Sequence, residues 1–299
     1  MRSSNQCNLS PTVAAVLIAI VAMTVRSSHV FAENLEQTPV VVVASSNSPS
    51  NQVAIFKKFF IYLGYNRSFF SPSSIKFKGK GHNFELKNVT ASDRASDWGS
   101  VYFTNGSVPQ YNLRLGYRFA PHWNVSFGVD HMKYVVDAGQ TVVINGTIKS
   151  SASEKYAGTY RGDSIFLEKD FLTFEHTDGF NYLPFELESQ HPVDFLHQLG
   201  LPDAKFLSLI GGVGFGAVVP RSDVRLFGKG RNHYWNLSGW GTSMHVGIQL
   251  DMWNTLFARF TGKYGRVELK DIPTTGQGND RAEQLIHFME NLMSLGYVF

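Results

Sequence analysis

The chain has one cysteine in 299 residues, Cys7, and none after it. That excludes a disulfide scaffold and a thiolate metal site from everything downstream. Charge is sparse too: Asp, Glu, Lys and Arg make up 17% of the residues, with 27 basic against 24 acidic side chains. So small a basic excess gives nucleic-acid binding no support. After Ala32 no run of 18 apolar residues occurs, which excludes helical membrane spans there. Nine histidines follow Ala32, but none pair as H-x-x-x-H on one face, so no metal site and no cofactor are expected.

What is present begins with an export signal. Arg2 precedes a 14-residue apolar run, Thr12 to Val25, and Val30 and Ala32 occupy the positions a signal peptidase reads. The run falls short of the about 20 residues that a bilayer span needs. A cleavable signal is therefore expected over 1–32. It carries two bases and no acid, leaving 25 bases against 24 acids, so the sequence pI of 8.8 is partly the signal's own. Residues 33–53, with "ASSNSPSNQ", read as a flexible polar leader. Aromatic residues at 14% and 27 glycines then suggest either a secreted β-rich domain or an outer-membrane barrel over 54–299.

Period-two stretches favour the barrel. Tyr111, Leu113, Leu115, Tyr117 and Phe119 form one face, against Asn112, Arg114, Gly116 and Arg118. A helix would scatter those arginines through its apolar stripe. After the turn "APHWN", Val125, Phe127 and Val129 alternate with Ser126, Gly128 and Asp130. Trp240, Met244, Val246, Ile248 and Leu250 alternate with Gly241, Ser243, His245, Gly247 and Gln249. Beyond "DMWN", Leu256, Ala258, Phe260 and Tyr264 alternate with Arg259, Thr261 and Lys263. A broad apolar face with aromatic ends, backed by charges and glycines, is the inside-out pattern of a transmembrane barrel. Sheet can cross lipid only when it closes on itself.

Connections divide into tight turns and long polar segments, near 71–108, 137–163, 221–235 and 270–283. Short turns belong to the periplasm and long loops to the outside. The fold class expected is all-β: a closed antiparallel transmembrane β-barrel of about eight strands, with ten as the runner-up. The crossings fall near 57–70, 109–119, 123–136, 170–186, 205–220, 236–251, 255–269 and 285–299, with both ends periplasmic. "HPVDFLHQLGLP" interrupts the short turns and reads as a short periplasmic helix, capped by Asp194 and stopped by Gly200 and Pro202. The segments "FELKNV" and "QTVVING" either extend the barrel above the membrane or add crossings.

The chain ends on "LIHFMENLMSLGYVF", where Leu285, Met289, Leu292 and Leu295 also fit a helix. Read as a strand, Met289, Met293, Leu295, Tyr297 and Phe299 share one face, interrupted by Asn291, while Glu290, Ser294 and Gly296 turn inward. With the signal and the alternating strands, this ending resembles Gram-negative outer-membrane β-barrel proteins of the small OmpA/OmpW-like superfamily. The resemblance implies that Met293, Leu295, Tyr297 and Phe299 form the signal read by the barrel-assembly machinery. It also implies an outer-membrane location among outer-membrane lipid and lipopolysaccharide.

The inward polar residues Arg114, Arg118, Asp130, His245, Gln249, Arg259, Lys263 and Glu290 are candidates for a lumen ion-pair network or an ion-selective constriction. Eight strands leave room for little more than side chains, which favours the network. If the "APHWN" hairpin closes symmetrically, Arg114 lies opposite Asp130, and across the last hairpin Arg259 and Lys263 can meet Glu290. A second candidate is "FEHTDGFNY", where His176 and Asp178 fall on the face of Phe174, Phe180 and Tyr182, read as the lipid face. An acid and a histidine near the outer leaflet resemble the site of outer-membrane lipid A deacylases. That family's pattern needs a serine two positions after the histidine, and that position holds Asp178. A bulge at Asp178–Gly179 is the alternative. "GGVGFG" is read as inward glycines of a curved strand rather than a nucleotide loop. "RGD", Arg161 to Asp163, lies in an external loop and is open to an unknown external ligand. The function expected is a non-enzymatic outer-membrane barrel with a narrow or filled lumen and a structural or surface-recognition role. The alternatives are a narrow solute channel, a lipid A-modifying hydrolase and a soluble β-rich periplasmic protein.

Overall fold

Alternating aromatic and β-branched residues give extended backbone over most of the described residues. The computed structural model describes residues 58–93, 109–193, 207–231, 235–252 and 255–299. The signal and the leader lie outside the described residues. Phe59–Val298 form one compact unit. The strands described are β1 Phe59–Phe70, β2 Ser73–Gly79, β3 His82–Val89, β4 Ala91–Ser92, β5 Tyr111–Ala120, β6 Trp123–Val136 and β7 Thr141–Ile148. They continue with β8 Gly158–Phe166, β9 Leu172–Pro192, β10 Leu207–Pro220, β11 Asp223–Leu226, β12 Gly239–Met252, β13 Leu256–Pro273 and β14 Arg281–Val298. No helix among the described residues is long and apolar enough to cross a membrane. Of the helix expected over 191–202, His191 and Pro192 instead complete β9, and residues 194–202 lie outside the described residues.

Every ladder is antiparallel. From β1 they run through β5, β6, β9, β10, β12, β13 and β14, and β14 pairs again with β1. The path of pairings therefore returns to its start. The strands from the long connections attach beside this ring. β14 pairs β1 through Phe288–Val298 but pairs β2 through Arg281–Gln284, and from β2 the sheet continues to β3, β7 and β8. "FELKNV" and "QTVVING" thus extend the sheet past the ring strands and are not inserted between them. β11 pairs the start of β9, and β4 links β1 with β6. The end carrying these added strands is called upper here, and the end with the β5–β6 turn lower.

The interior has three levels. At the bottom Phe60, Tyr62, Phe257 and Val298 cluster. Two glycines make room for it: a Cβ on Gly116 would meet the Phe60 ring at 2.0 Å, and one on Gly296 the Phe257 ring at 2.1 Å. Charged and amide side chains fill the middle. At the top lies a large apolar core drawn from the upper ends of the ring strands and from β2, β3, β7 and β11, including Ile75, Phe77, Phe84, Leu86, Ile144, Phe174, Phe180, Val224, Ile272 and Phe288.

Candidate functional site

The middle level holds the densest chemistry. Arg114 of β5 is fully buried, and its Nη2 donates to both oxygens of Asp130 on β6, at 2.8 and 2.9 Å. Its Nε donates to Glu186 Oε2 on β9 at 2.9 Å. Lys263 Nζ of β13 donates to Asp130 at 2.6 Å and to Glu186 at 2.7 Å. Because β13 stands across the ring from β6 and β9, these bonds span the interior. One rung lower, Arg259 Nη1 donates to Glu188 Oε2 at 2.9 Å, and His245 Nε2 lies 3.1 Å from the same oxygen. Arg259 Nε donates to Gln249 Oε1 at 2.7 Å. The Arg259 guanidinium also lies over the rings of Phe60, Tyr62 and Phe257, 4.9 to 5.5 Å from their centroids. Such contacts add attraction beyond charge pairing. A cavity of about 10 Å³ remains, lined by Tyr62, Asn112, Glu186, Glu188 and Lys263 among others. That is room for about one water.

Most of the residues expected in this network are there, with corrections in pairing. Directly opposite Asp130 is Asn112, and opposite Arg114 is Gly128. The β5–β6 connection is a two-residue turn at Pro121–His122 with a register irregularity between Arg118 and Ala120. This slides the ladder by two residues, and Arg114 reaches Asp130 on the diagonal. Glu290 is directly across from Lys263, but Arg259 and Lys263 are bonded to carboxylates on β6 and β9 instead. Both Glu290 carboxyl oxygens are buried without a hydrogen-bond partner among the described residues. Arg118 is half-buried and makes no ion pair among the described residues, its Nε included.

Sequence reasoning missed Glu186 and Glu188, which accept most of the bonds. Their signal is present: in "LPFELES" Leu183, Phe185 and Leu187 face out while Pro184, Glu186 and Glu188 face in. Taking Phe174, Phe180 and Tyr182 as the lipid face reversed the phase of β9. That assignment is overturned. Phe174, His176, Phe180 and Tyr182 are 0–2% exposed, inside the ring. The apolar face turns inward here because this stretch of β9 belongs to the upper core. The bulge expected near Asp178–Gly179 is there: Met132 faces Phe180 and Tyr134 faces His176, so three residues of β9 oppose one of β6. Gly179 carries a φ of +147°, which a side chain would resist.

His176 is bonded through Nδ1 to Ser222 Oγ at 2.8 Å, and both are buried, packed by Phe174 and Phe180. A serine is therefore beside the histidine, contributed by a distant segment. The candidate rim site at His176 and Asp178 is thus not at the lipid rim on its histidine side. Among the described residues no group of three or more His, Cys, Asp or Glu side chains could hold a metal. The inward glycines of "GGVGFG" line β10 where His245 needs space, since a Cβ on Gly212 would meet its ring at 2.7 Å.

Outside, the terminal residues alternate as expected: Met293, Leu295, Tyr297 and Phe299 are 45–62% exposed. Phe59, Ile61, Leu63, Leu115, Phe127, Phe185, Phe215 and Phe260 continue this outer apolar belt around the ring. Arg161, Gly162 and Asp163 are exposed on β8, which among the described residues pairs with β7 alone. Gly162 has a φ of +89°, and Asp163 Oδ2 accepts from the Arg161 amide at 2.8 Å. Nearby, Asp170 accepts from Lys155 and Tyr156, and these bonds hold its carboxyl down at about 2.

No protein-family model matches the chain, and no curated protein does. Solved structures do match. The outer membrane protein AlkL, determined in lipid bilayers, is 14% identical with a TM-score of 0.37, over 87% of this chain and 97% of its own. Neisserial surface protein A is 10% identical, TM-score 0.34, over 81% and 97%. The attachment invasion locus protein Ail of Yersinia pestis is 13% identical, TM-score 0.34, over 81% and 99%. What this chain does has to come from its own side chains.

Proposed function

We propose that the ring of eight strands is a closed outer-membrane β-barrel, integral and non-enzymatic, with a lumen filled by side chains. The observation that carries this reading is an inversion of polarity along single strands. On β13 the outward residues are Leu256, Phe260 and Tyr264, then Arg266, Glu268 and Lys270; the inward ones, above Phe257 of the bottom cluster, are Arg259 and Lys263, then Val267, Leu269 and Ile272. Both faces change character at one level. A wall in water throughout would have no reason to invert, whereas a wall that leaves lipid must. Tyr264 and His287 stand at that level on neighbouring strands, joined at 2.9 Å, as amphipathic side chains at an interface do.

In this reading the outer leaflet and its lipopolysaccharide surround the apolar belt. The added sheet of β2, β3, β7 and β8 is a cap outside the cell. The cap serves a structural or surface-recognition role, and the barrel-assembly machinery reads Met293 to Phe299. Export uses the signal over 1–32. Ion pairs from Lys263 to Asp130 and Glu186 across the interior support a plug over a channel.

Two measurements test the proposal. The protein should need detergent for extraction and should migrate differently on a gel before and after boiling. In a planar bilayer it should give no stable open state. Extraction without detergent sinks the membrane reading; steady conductance sinks only the filled lumen.

A further inference from the structure

On the outer wall just past the polarity inversion, β2, β13 and β14 share an open cleft of about 1030 Å³. It is lined by five cations, Lys76, Lys78, Lys80, Lys270 and Arg281, against two acids, Asp280 and Glu283. Asp280 does not offset them outward. It is buried, with Oδ1 accepting the Lys80 amide at 2.8 Å and Oδ2 the Thr275 hydroxyl at 2.7 Å. Lys270 has Glu268 at 3.3 Å, and Arg281 is held by Asp271. Lys76, Lys78 and Lys80 are exposed and make no ion pair among the described residues.

Lys76 and Lys78 project from the same face of β2, and Lys80 begins the hairpin turn after it. Alternate strand positions lie about 7 Å apart. Lys76 has Glu85 and Glu283 directly opposite it, whereas Lys78 has Asn83 and Arg281, so the end of the row that the fold leaves uncompensated is Lys78 with Lys80. Overall composition does not demand this, because the chain after the signal is within one charge of neutral. A ligand with several negative charges would relieve it, and Asn83 at the cleft wall adds an amide suited to sugar hydroxyls.

Position selects the source of that ligand. On β14, Glu283 faces Lys76 and Arg281 faces Lys78. They are two and four residues past Leu285, the last exposed apolar side chain of that strand. Leu285 pairs with Glu268, already past the inversion at His287. At 3.3 Å per residue, Arg281 stands about 20 Å along the strand from that level, and less than that in height because barrel strands tilt. The cleft therefore faces sideways over the belt's upper edge, at headgroup height, and not away from the bilayer. We propose that it binds the phosphorylated sugar headgroup of an outer-leaflet glycolipid, with Lys78, Lys80 and Arg281 on the phosphates. The inference rests on the membrane-spanning reading above.

The test uses the full protein folded in detergent micelles, titrated with purified lipopolysaccharide, the same material after dephosphorylation, and heparin. Lys78→Gln with Lys80→Gln should weaken lipopolysaccharide binding about tenfold or more, since a lysine at an anionic surface contributes about 1 kcal/mol. Dephosphorylation should cause a similar loss, and Lys87→Gln, outside the cleft on β3, should change little. Each variant is checked for the boiled-versus-unboiled gel shift, so that a lost fold is not scored as lost binding. Unchanged affinity in a double variant that keeps its shift overturns the cleft. Heparin bound more tightly than lipopolysaccharide overturns the lipid source. A wild-type chain that shows no gel shift instead removes the membrane reading beneath it.

Discussion

The molecule has two interiors within one continuous sheet, and they are built on opposite principles. In the middle of the ring the buried groups are Arg114, Asp130, Glu186, Glu188, Arg259 and Lys263, and the wall outside them is Leu115, Phe127, Phe185 and Phe260. In the upper part the buried groups are Phe77, Phe84, Leu86, Phe174 and Phe180, and the wall outside is Lys76, Lys78, Glu85, Arg266 and Glu268. The hydrophobic effect drives apolar groups inward only where water is outside. Where the outer face already matches lipid, nothing draws apolar residues to the inside, and the lumen fills with whatever can satisfy itself. The middle level is held by directional bonds, the upper one by packing. They should fail differently.

The largest effect is expected from breaking the middle network on one side. Arg114→Ala leaves Asp130 and Glu186 sharing Lys263 alone, and stripping one partner from a buried pair costs roughly 3–5 kcal/mol. The loss should appear as a lower urea midpoint for the protein folded in lipid vesicles. Arg114→Met combined with Glu186→Leu removes both charges and should cost clearly less than the single change, because burying charges is itself unfavourable. A double variant as unstable as the single would mean that the network stabilises by more than compensation.

The upper core should respond locally. Leu86→Ala, at a fully buried position of β3, opens a cavity costing roughly 2–5 kcal/mol. Because β3 stands outside the ring of pairings, protease cutting within the β2–β3 and β7–β8 segments should rise while the boiled-versus-unboiled gel shift persists. Loss of the shift as well would make the two interiors one cooperative unit.

This division also explains how much could be read from the residues. β5, β6, β12 and β14 were legible because each has one apolar and one polar face over its ring portion, and Arg114, His245, Gln249, Arg259 and Lys263 lie inside as alternation required. β9 was misread because it crosses the inversion. Phe174 to Tyr182 and Glu186 to Glu188 share one parity, so a single rule of apolar side outward cannot hold along the whole strand. The diagonal reach of Arg114 and the preference of Lys263 for β6 and β9 over Glu290 depend on ring closure and on a register irregularity near Phe119. Those are long-range facts, and periodicity within one strand does not contain them.

The inversion itself can be probed by the same side chain in two places. Leu115→Arg puts a charge into the outer belt and should cost about 2–4 kcal/mol near the bilayer midplane. Asn83→Arg, on the outer wall of the cap, should stay within about 0.5 kcal/mol. Unfolding in vesicles gives both numbers, and equal costs would erase the distinction between belt and cap wall.

The smallest effect concerns the one histidine buried in the cap strand β3. His82 is 4% exposed, its Nε2 has no hydrogen-bond partner among the described residues, and its ring neighbours are Phe84 and Phe227. Burial lowers its pKa below the usual histidine value, outweighing the opposite pull of Asp280. An opened cap would return His82 to about 6.5, so between its folded value and that one the opened state binds more protons, and stability rises with pH. The stabilisation is complete above about 6.5 and is lost as pH falls through the folded value. Hydrogen exchange of the β3 amides, corrected for intrinsic rates, should therefore show more frequent opening at pH 5.5 than at 7.5, and His82→Phe should flatten the difference. Greater protection at pH 5.5 would mean that Asp280, and not burial, governs the ring, and the cap interior would then share the ion-pairing logic of the level below it.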